Sequence, residues 1–316
     1  MKQIGFDIGA RKIRIVTPNS GVSATFPAAA AIRKSGNEIV AYCDEALRTA
    51  SRLPGSVEIT YPFENVYTVT ADLLAGFLSY VLEHTVSKRI KASTVAIALS
   101  GEQTKENEQL CYEACSIIGA REVFMVDPTL AALYGCEDSD GSDVMVVNAG
   151  ASVCDAAIYS NEELRAFISI PFAGIAFNNV ITKYVAQKHF LSISDETAEE
   201  IKQNIASFSR SDADKIYPVL GVRRSLGIPR EKTVTSSELQ APIASVFAEI
   251  TKELAELISS AGISPQKILL TGGTSAFRGI DRALEEVLGI ECIHAPDGDQ
   301  CVAKGLTKII SGNILK

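Results

Sequence analysis

The 316 residues, 47% of them hydrophobic, supply enough apolar surface for two cores rather than one, and a formal charge of −8 leaves no basic surplus to displace phosphate counterions, which excludes a nucleic-acid partner. Cys43, Cys111, Cys115, Cys136, Cys154, Cys292 and Cys301 stand singly, without a CxxC pair, and read as reduced, packed, cytosolic thiols rather than a disulfide framework. No signal-peptide-like leader precedes the first strand, and no apolar run approaches the ~20 residues of a membrane-spanning helix.

In chain order, residues 1 to about 30 read as paired strands, with β-branched Ile13, Ile15 and Val16 before the turn Pro18-Asn19-Ser20-Gly21. Leu73, Leu74, Phe77, Leu78, Val81 and Leu82 recur at three- and four-residue steps behind Thr70, which predicts a capped helix over 70–86. Val95-Ala96-Ile97-Ala98-Leu99 is the next strand, residues 102–118 suit a helix ended by Gly119, and residues 123–126 suit a buried parallel strand feeding a helix at Pro128. The acidic stretch 137–143 reads as a linker, and a second strand-rich unit opens at Val144. Phe177, Val180, Ile181, Tyr184 and Val185 form a helical stripe, and Thr197-Ala198-Glu199-Glu200 has capping-box spacing for another helix. Residues 207–236, with Pro218, Gly221, Gly227 and Pro229, read as a small irregular insertion, after which a long amphipathic helix follows Pro242.

Three glycine-rich turns follow short apolar runs: Asp7-Ile8-Gly9, Asn148-Ala149-Gly150, and Thr271-Gly272-Gly273-Thr274. A strand ending in such a turn can aim successive N–H groups at phosphate oxygens. The layout suggests two similar halves gripping one phosphorylated ligand.

In order and spacing these segments resemble the actin, sugar-kinase and heat-shock-chaperone superfamily, and within it the MreB-like bacterial actins. Asp7-Ile8-Gly9 looks like the first phosphate motif, and Gly119-Ala120-Arg121-Glu122-Val123 with Asp127-Pro128-Thr129-Leu130-Ala131-Ala132 looks like the connecting helix. Thr197-Ala198-Glu199-Glu200-Ile201-Lys202 resembles the segment beside the nucleoside, Arg223-Arg224-Ser225-Leu226-Gly227-Ile228-Pro229 the small upper subdomain, and Leu270-Thr271-Gly272-Gly273-Thr274 with Phe277-Arg278-Gly279-Ile280 the adenosine motif. The resemblance implies an α/β, bilobed actin-like ATPase fold: two related lobes, each a five-stranded mixed sheet flanked by helices, closing over ATP or ADP and magnesium. It places the first lobe at 1–142 with a small insertion at about 31–65, the second at 143–301 with one at about 182–237, and a C-terminal helix, 302–316, returning to the first.

On the same resemblance the nucleotide contacts are Asp7, Gly9, Ala10, Arg11 and Lys12, then Gly150, Ala151 and Ser152, then Glu199 and Lys202, then Gly272, Gly273, Thr274, Ser275 and Ala276. Asp7 and, through water, Asn148 are the candidate magnesium ligands, and Asp127 the candidate catalytic group. Several positions depart from the family pattern. Asn148 replaces an acid, Val153 replaces a hydroxyl-bearing threonine, and Asp127 is one methylene shorter than the glutamate or glutamine that orients water. Arg11 and Lys12 either add charge to a phosphate or face solvent at a strand edge; Asp127 either orients water or caps the helix at Pro128. Cys154 has no histidine beside it and reads as a packed strand cysteine.

The expected function is a divergent MreB-like cytoskeletal or scaffold subunit in bacterial cell-shape determination, binding adenine nucleotide weakly, with magnesium weak or absent and hydrolysis slow or absent. The alternatives are an active ATPase of the same fold, or a chaperone-like or microcompartment-associated actin-fold protein. Self-association into protofilaments and contact with cell-wall synthesis or morphogenesis proteins are the implied partnerships. The loop around Ser87-Lys88-Arg89-Ile90-Lys91 offers one isoleucine, too little for a membrane anchor, so a cytosolic protein is expected, reaching membranes, if at all, through a partner or through filament avidity.

Overall fold

The computed structural model describes residues 3–18, 21–36, 38–65, 69–85, 93–136, 143–209, 214–223, 225 and 227–312. The basic loop at 87–91 and nearly all of the acidic linker lie outside the described residues. The chain divides into two units: Met1–Asp140 with Ala295–Lys316, and Gly141–His294.

The first unit opens with a meander, β1 (Gln3–Ile8), β2 (Lys12–Thr17) and β3 (Gly21–Pro27). A side sheet of β4 (Ala30–Arg33), β5 (Ile39–Tyr42) and β6 (Val57–Thr60) follows, with α1 (Cys43–Arg52) packed on it. Then come α2 (Ala71–Thr85), β7 (Thr94–Leu99), α3 (Lys105–Ile117), β8 (Glu122–Met125) and α4 (Pro128–Gly135). The main sheet has the order β3-β2-β1-β7-β8, antiparallel through the meander and parallel from β1 onward. α2 starts where the stripe predicts, its first turn tied by Thr70 Oγ1, which accepts from the Leu73 amide at 3.3 Å. Ile4, Phe6, Ile8, Ile13 and Ile15 share one core with Phe77 of α2 and Cys111 of α3. The other sheet face carries Gly5 and Val16 and is covered by a helix from the far end of the chain, introduced below.

The second unit repeats that plan. Its strands β9 (Val144–Ala149), β10 (Cys154–Ser160) and β11 (Glu163–Ile170) form the meander, followed by α5 (Gly174–Lys188), β12 (Leu191–Ser192) and α6 (Asp195–Ile205). Next are β13 (Ile216–Arg223), β14 (Pro229–Thr235), α7 (Ser236–Ala261), β15 (Lys267–Thr271), α8 (Ile280–Leu288) and β16 (Glu291–His294). The main sheet order is β11-β10-β9-β15-β16, again with two antiparallel and two parallel pairings. After β16 the chain returns to the first unit as α9 (Cys301–Ser311). These are the two related lobes with five-stranded mixed sheets that the sequence predicts.

Three local expectations are corrected. Residues 207–236 are not irregular: β12, β13 and β14 form a sheet of their own. Pro218 sits within β13 opposite Thr233, where β12 does not reach, so its missing N–H removes no ladder bond to a third strand. α6 begins at Asp195, with Ser194 Oγ accepting from the Thr197 amide at 3.2 Å, so Glu199 and Lys202 lie inside the helix rather than at its start. α7 begins at Ser236, before Pro242, because Thr235 and Glu238 complete a reciprocal capping box. Burial of Leu239 and Ile243 holds that first stretch despite the proline inside it.

Candidate functional site

Each meander closes with the same turn. In the first unit the Gly9 amide donates to the Lys12 carbonyl at 2.9 Å; in the second the Gly150 amide donates to the Val153 carbonyl at 3.0 Å. A Cβ on Gly150 would lie 2.9 Å from that carbonyl oxygen, so the tight turn requires glycine there. Asp7 and Asn148 hold matching places, two residues before these glycines at the end of a central strand.

In the first unit the cations expected to meet phosphate are engaged within the fold. Arg11 pairs with Glu64 at 2.7 Å and lies over the Tyr61 ring, 3.9 Å from its centroid. Lys12 donates to Asp299 at 2.8 Å. Arg14, directly opposite Asp7 in the β1/β2 register, uses Nη1 to donate to Asp7 at 2.9 Å and Nη2 to donate to Asp299 at 2.9 Å. The Asp7 and Arg14 side chains are only 7% and 8% exposed, and Arg14 Nε is buried without a hydrogen-bond partner among the described residues. Burial pushes the Asp7 carboxyl up against the opposing pull of Arg14. Asp299 goes the other way: its partial burial raises it, but the Lys12 bond and the charges of Arg14 and Lys12 outweigh that and leave it below the ordinary carboxylate range.

This cluster is a poor fit to the magnesium that the resemblance implies. A divalent ion wants an octahedron of oxygens, whereas the Asp7 carboxylate already holds a guanidinium. Placed about 5 Å from Arg14, such an ion would meet roughly 7 kcal/mol of repulsion at an effective dielectric of about 20. The matching position in the second unit, Asn148, is neutral, and its cross-strand neighbour Asp155 accepts from Ser169 Oγ at 2.6 Å. Among the described residues no group of three or more His, Cys, Asp or Glu side chains could hold a metal ion.

The second unit draws four separate stretches of sequence together. The Gly150 carbonyl accepts from the Gly174 amide at 3.2 Å and from Thr274 Oγ1 at 2.6 Å, and the Ala151 carbonyl accepts from the Ile175 amide at 2.8 Å. The first turn of α5 is thereby stitched to the phosphate-type turn. Lys202 Nζ reaches from α6 to the Gly174 carbonyl at 3.0 Å and to Glu199 at 2.7 Å. Asn178, buried on α5, donates to the same Glu199 oxygen at 2.8 Å. Residues near 150, 174, 200 and 274 thus form one hydrogen-bonded patch. The third turn touches it at Gly272, whose φ is +87° and whose added Cβ would sit 2.3 Å from the Ala149 carbonyl oxygen. Gly273, the next residue, faces open space.

Burial raises the Glu199 carboxyl, yet hydrogen bonds from Lys202, Asn178 and Gln203 outweigh it and hold it below the ordinary glutamate range. A depressed folded-state pKa stabilises the fold above the unfolded value, near 4.3, and that contribution disappears as pH falls through the folded value. Glu199→Gln is therefore expected to lower the melting temperature at pH 7, and that deficit is expected to shrink steadily as pH falls below the unfolded value. Melting curves across that interval check this; a gap that persists undiminished at the acid end would show that the carboxylate's charge is not what matters.

Asp127 caps α4: its Oδ1 accepts from the amides of Thr129 and Leu130 and from the Thr129 hydroxyl. All seven cysteines are buried, and burial pushes the Cys43, Cys111, Cys115 and Cys292 thiols up to about 12 and Cys154 higher still, so none of these five offers a thiolate. Arg14, Asp299, Gly174 and Asn178 are the site residues that sequence reading misses. The signal for Arg14 was present: a cation at an interior position of an apolar central strand needs a buried partner.

The family model described as MreB/Mbl protein matches residues 1–314. Cell shape-determining protein MreB of Escherichia coli (strain K12) is 28% identical over 320 residues, covering 96% of this chain and 91% of that protein. Cell shape-determining protein Mbl of Bacillus subtilis (strain 168) is 26% identical over 316 residues, covering 96% and 94%. Among solved structures, MreB5 of Spiroplasma citri bound to ADP aligns over 100% of this chain and 98% of its own with a TM-score of 0.89 at 22% identity. The MamK double helical filament aligns over 98% of each chain with a TM-score of 0.78 at 15% identity. The fold is the actin-like one.

Proposed function

The chain belongs to the MreB/Mbl protein family, and from that premise we propose that it binds an adenine nucleotide, ATP or ADP, and acts as a cytoskeletal or scaffold subunit in bacterial cell-shape determination. The observation that carries the nucleotide reading is the patch joining Gly150, Gly174, Lys202 and Thr274, since it unites three stretches of sequence that resemble nucleotide contacts. Glu199 and Lys202 with Gly272, Gly273, Thr274, Ser275 and Ala276 would take the nucleoside. The backbone of Gly9, Ala10, Arg11 and Lys12 and of Gly150, Ala151 and Ser152 would take phosphate oxygens. Two solved relatives of the fold, MreB5 of Spiroplasma citri with ADP and with AMPPNP, support the ligand class. The names of the MreB and Mbl relatives support the cellular role, and the MamK filament supports self-association into protofilaments. Cell-wall synthesis proteins are the partners such a scaffold would serve.

Hydrolysis is a weaker part of this function. Asn148 lacks the acid's charge, Val153 lacks a hydroxyl to hold water, and the Asp127 oxygen that caps α4 already accepts three donors. Loss of one well-placed transition-state donor commonly slows a reaction about 10²- to 10³-fold. Titration with a fluorescent ADP analogue, competed by ATP, is expected to saturate, while phosphate release stays near background. Absence of saturable binding at millimolar nucleotide would sink the binding reading, and turnover typical of efficient actin-like ATPases would sink the hydrolysis one. Among the described residues no helix is long and apolar enough to cross a membrane.

A further inference from the structure

Resting on the nucleotide reading above, we propose that Arg14 takes the place of the divalent cation beside the first phosphate-type turn, so that this chain binds nucleotide without a requirement for magnesium. One guanidinium bridges Asp7 and Asp299, 2.9 Å from each, and Lys12 adds an ammonium 2.8 Å from Asp299. Two carboxylates face two cations, so the four groups are formally neutral and offer an incoming metal no net attraction. Register rather than a mobile loop sets the position: Arg14 is the direct cross-strand neighbour of Asp7 in the β1/β2 ladder. A guanidinium stays charged at every working pH, and its fork suits two carboxylates at once. Magnesium, by contrast, is reluctant to give up its water.

A purely structural role, tying the meander to the segment before α9, would make Arg14 important for stability but leave metal response unchanged in its absence. The test therefore reads metal directly. Affinity of the unaltered protein for a fluorescent ADP analogue is measured in millimolar magnesium and in EDTA, and agreement within about threefold is expected; greater tightening by magnesium overturns the proposal. In the absence of nucleotide, manganese binding is followed by electron paramagnetic resonance. The unaltered protein is expected to take none at millimolar manganese, whereas Arg14→Gln, or Arg14→Leu as a second variant, frees Asp7 and Asp299 to bind it and gains several degrees of melting temperature on metal addition. A folded variant that ignores manganese would show Arg14 to be structural only and reject the proposal. If neither variant folds, the unaltered protein decides: manganese binding overturns the substitution of cation by arginine, and its absence upholds it. Should no nucleotide bind in either buffer, the functional reading fails while the manganese measurements still judge this one.

Discussion

Gly305→Val is expected to abolish the cooperative melting of the first unit or lower its midpoint by roughly 10 °C or more, the largest stability effect of any single substitution considered for this chain. A Cβ at Gly305 would lie 1.6 Å from the Ala131 carbonyl oxygen and 2.5 Å from its carbon, so α4 and α9 must separate to admit it. A second glycine makes the crossing close on the α4 side too. A Cβ on Gly135 would lie 2.1 Å from the Cys301 carbonyl oxygen, and the Cys301 thiol donates to the Ala132 carbonyl at 3.2 Å. Overpacking a rigid contact typically costs 1–3 kcal/mol; here the obstacle is backbone, which cannot rotate away, so about 4 kcal/mol or more is expected. Gly55→Ala is the control, since nothing lies within 4 Å of its Cβ and its φ is unstrained for other residues. Differential scanning calorimetry of both variants decides the matter, and a Gly305→Val transition within a few degrees of the parent would refute the close crossing.

The second large effect separates two neighbouring glycines. Gly272→Ala is expected to destabilise the second unit by about 3 kcal/mol, because a left-handed backbone and a clash with the Ala149 backbone act together. Gly273→Val is expected to leave stability within about 1 kcal/mol of the parent, because its added side chain projects into open space. That same projection would occupy the space where a nucleoside is proposed to sit, so nucleotide affinity should be lost. Parent-like affinity in a folded Gly273→Val variant would reject the assigned site, and parent-like stability of Gly272→Ala would reject the structural account of the turn.

Local chemistry explains what can be read from this sequence. Thr70 caps a helix one turn before a leucine-rich stripe, and the three glycine turns follow apolar strands, so both signals lie within a dozen residues and need no tertiary knowledge. Residues 207–236 mislead because proline and glycine ordinarily break strands, yet Pro218 lies where β13 has only one neighbour and Gly221 is pressed against the Ser192 carbonyl, 2.8 Å from its would-be Cβ. The start of α7 misleads for a related reason: the capping box at Thr235 and Glu238 begins the helix ahead of the later start that Pro242 suggests. Arg14 is the hardest case. Its partner Asp299 stands 285 residues further on, and no periodicity links the two. The Gly174 and Lys202 contributions are similarly hidden, because they act through backbone carbonyls whose positions only the assembled fold determines.

The union of α4 with α9 also bears on the order in which the protein is made. The Cys301 to Ala132 bond spans 169 residues, and almost all of that interval is the second unit. Closing so long a loop in an unfolded chain has a logarithmic entropy cost of roughly 4.5 kcal/mol. A folded second unit shortens the effective loop to the gap between its own ends. Residues 141–294 are contiguous and leave the ribosome before α9 exists, so they can fold first and bring the two helices within reach. Until that helix arrives, the strands made earliest, with Gly5 and Val16 on the face that Leu306 will cover, keep one side of their sheet open to water and to chaperones.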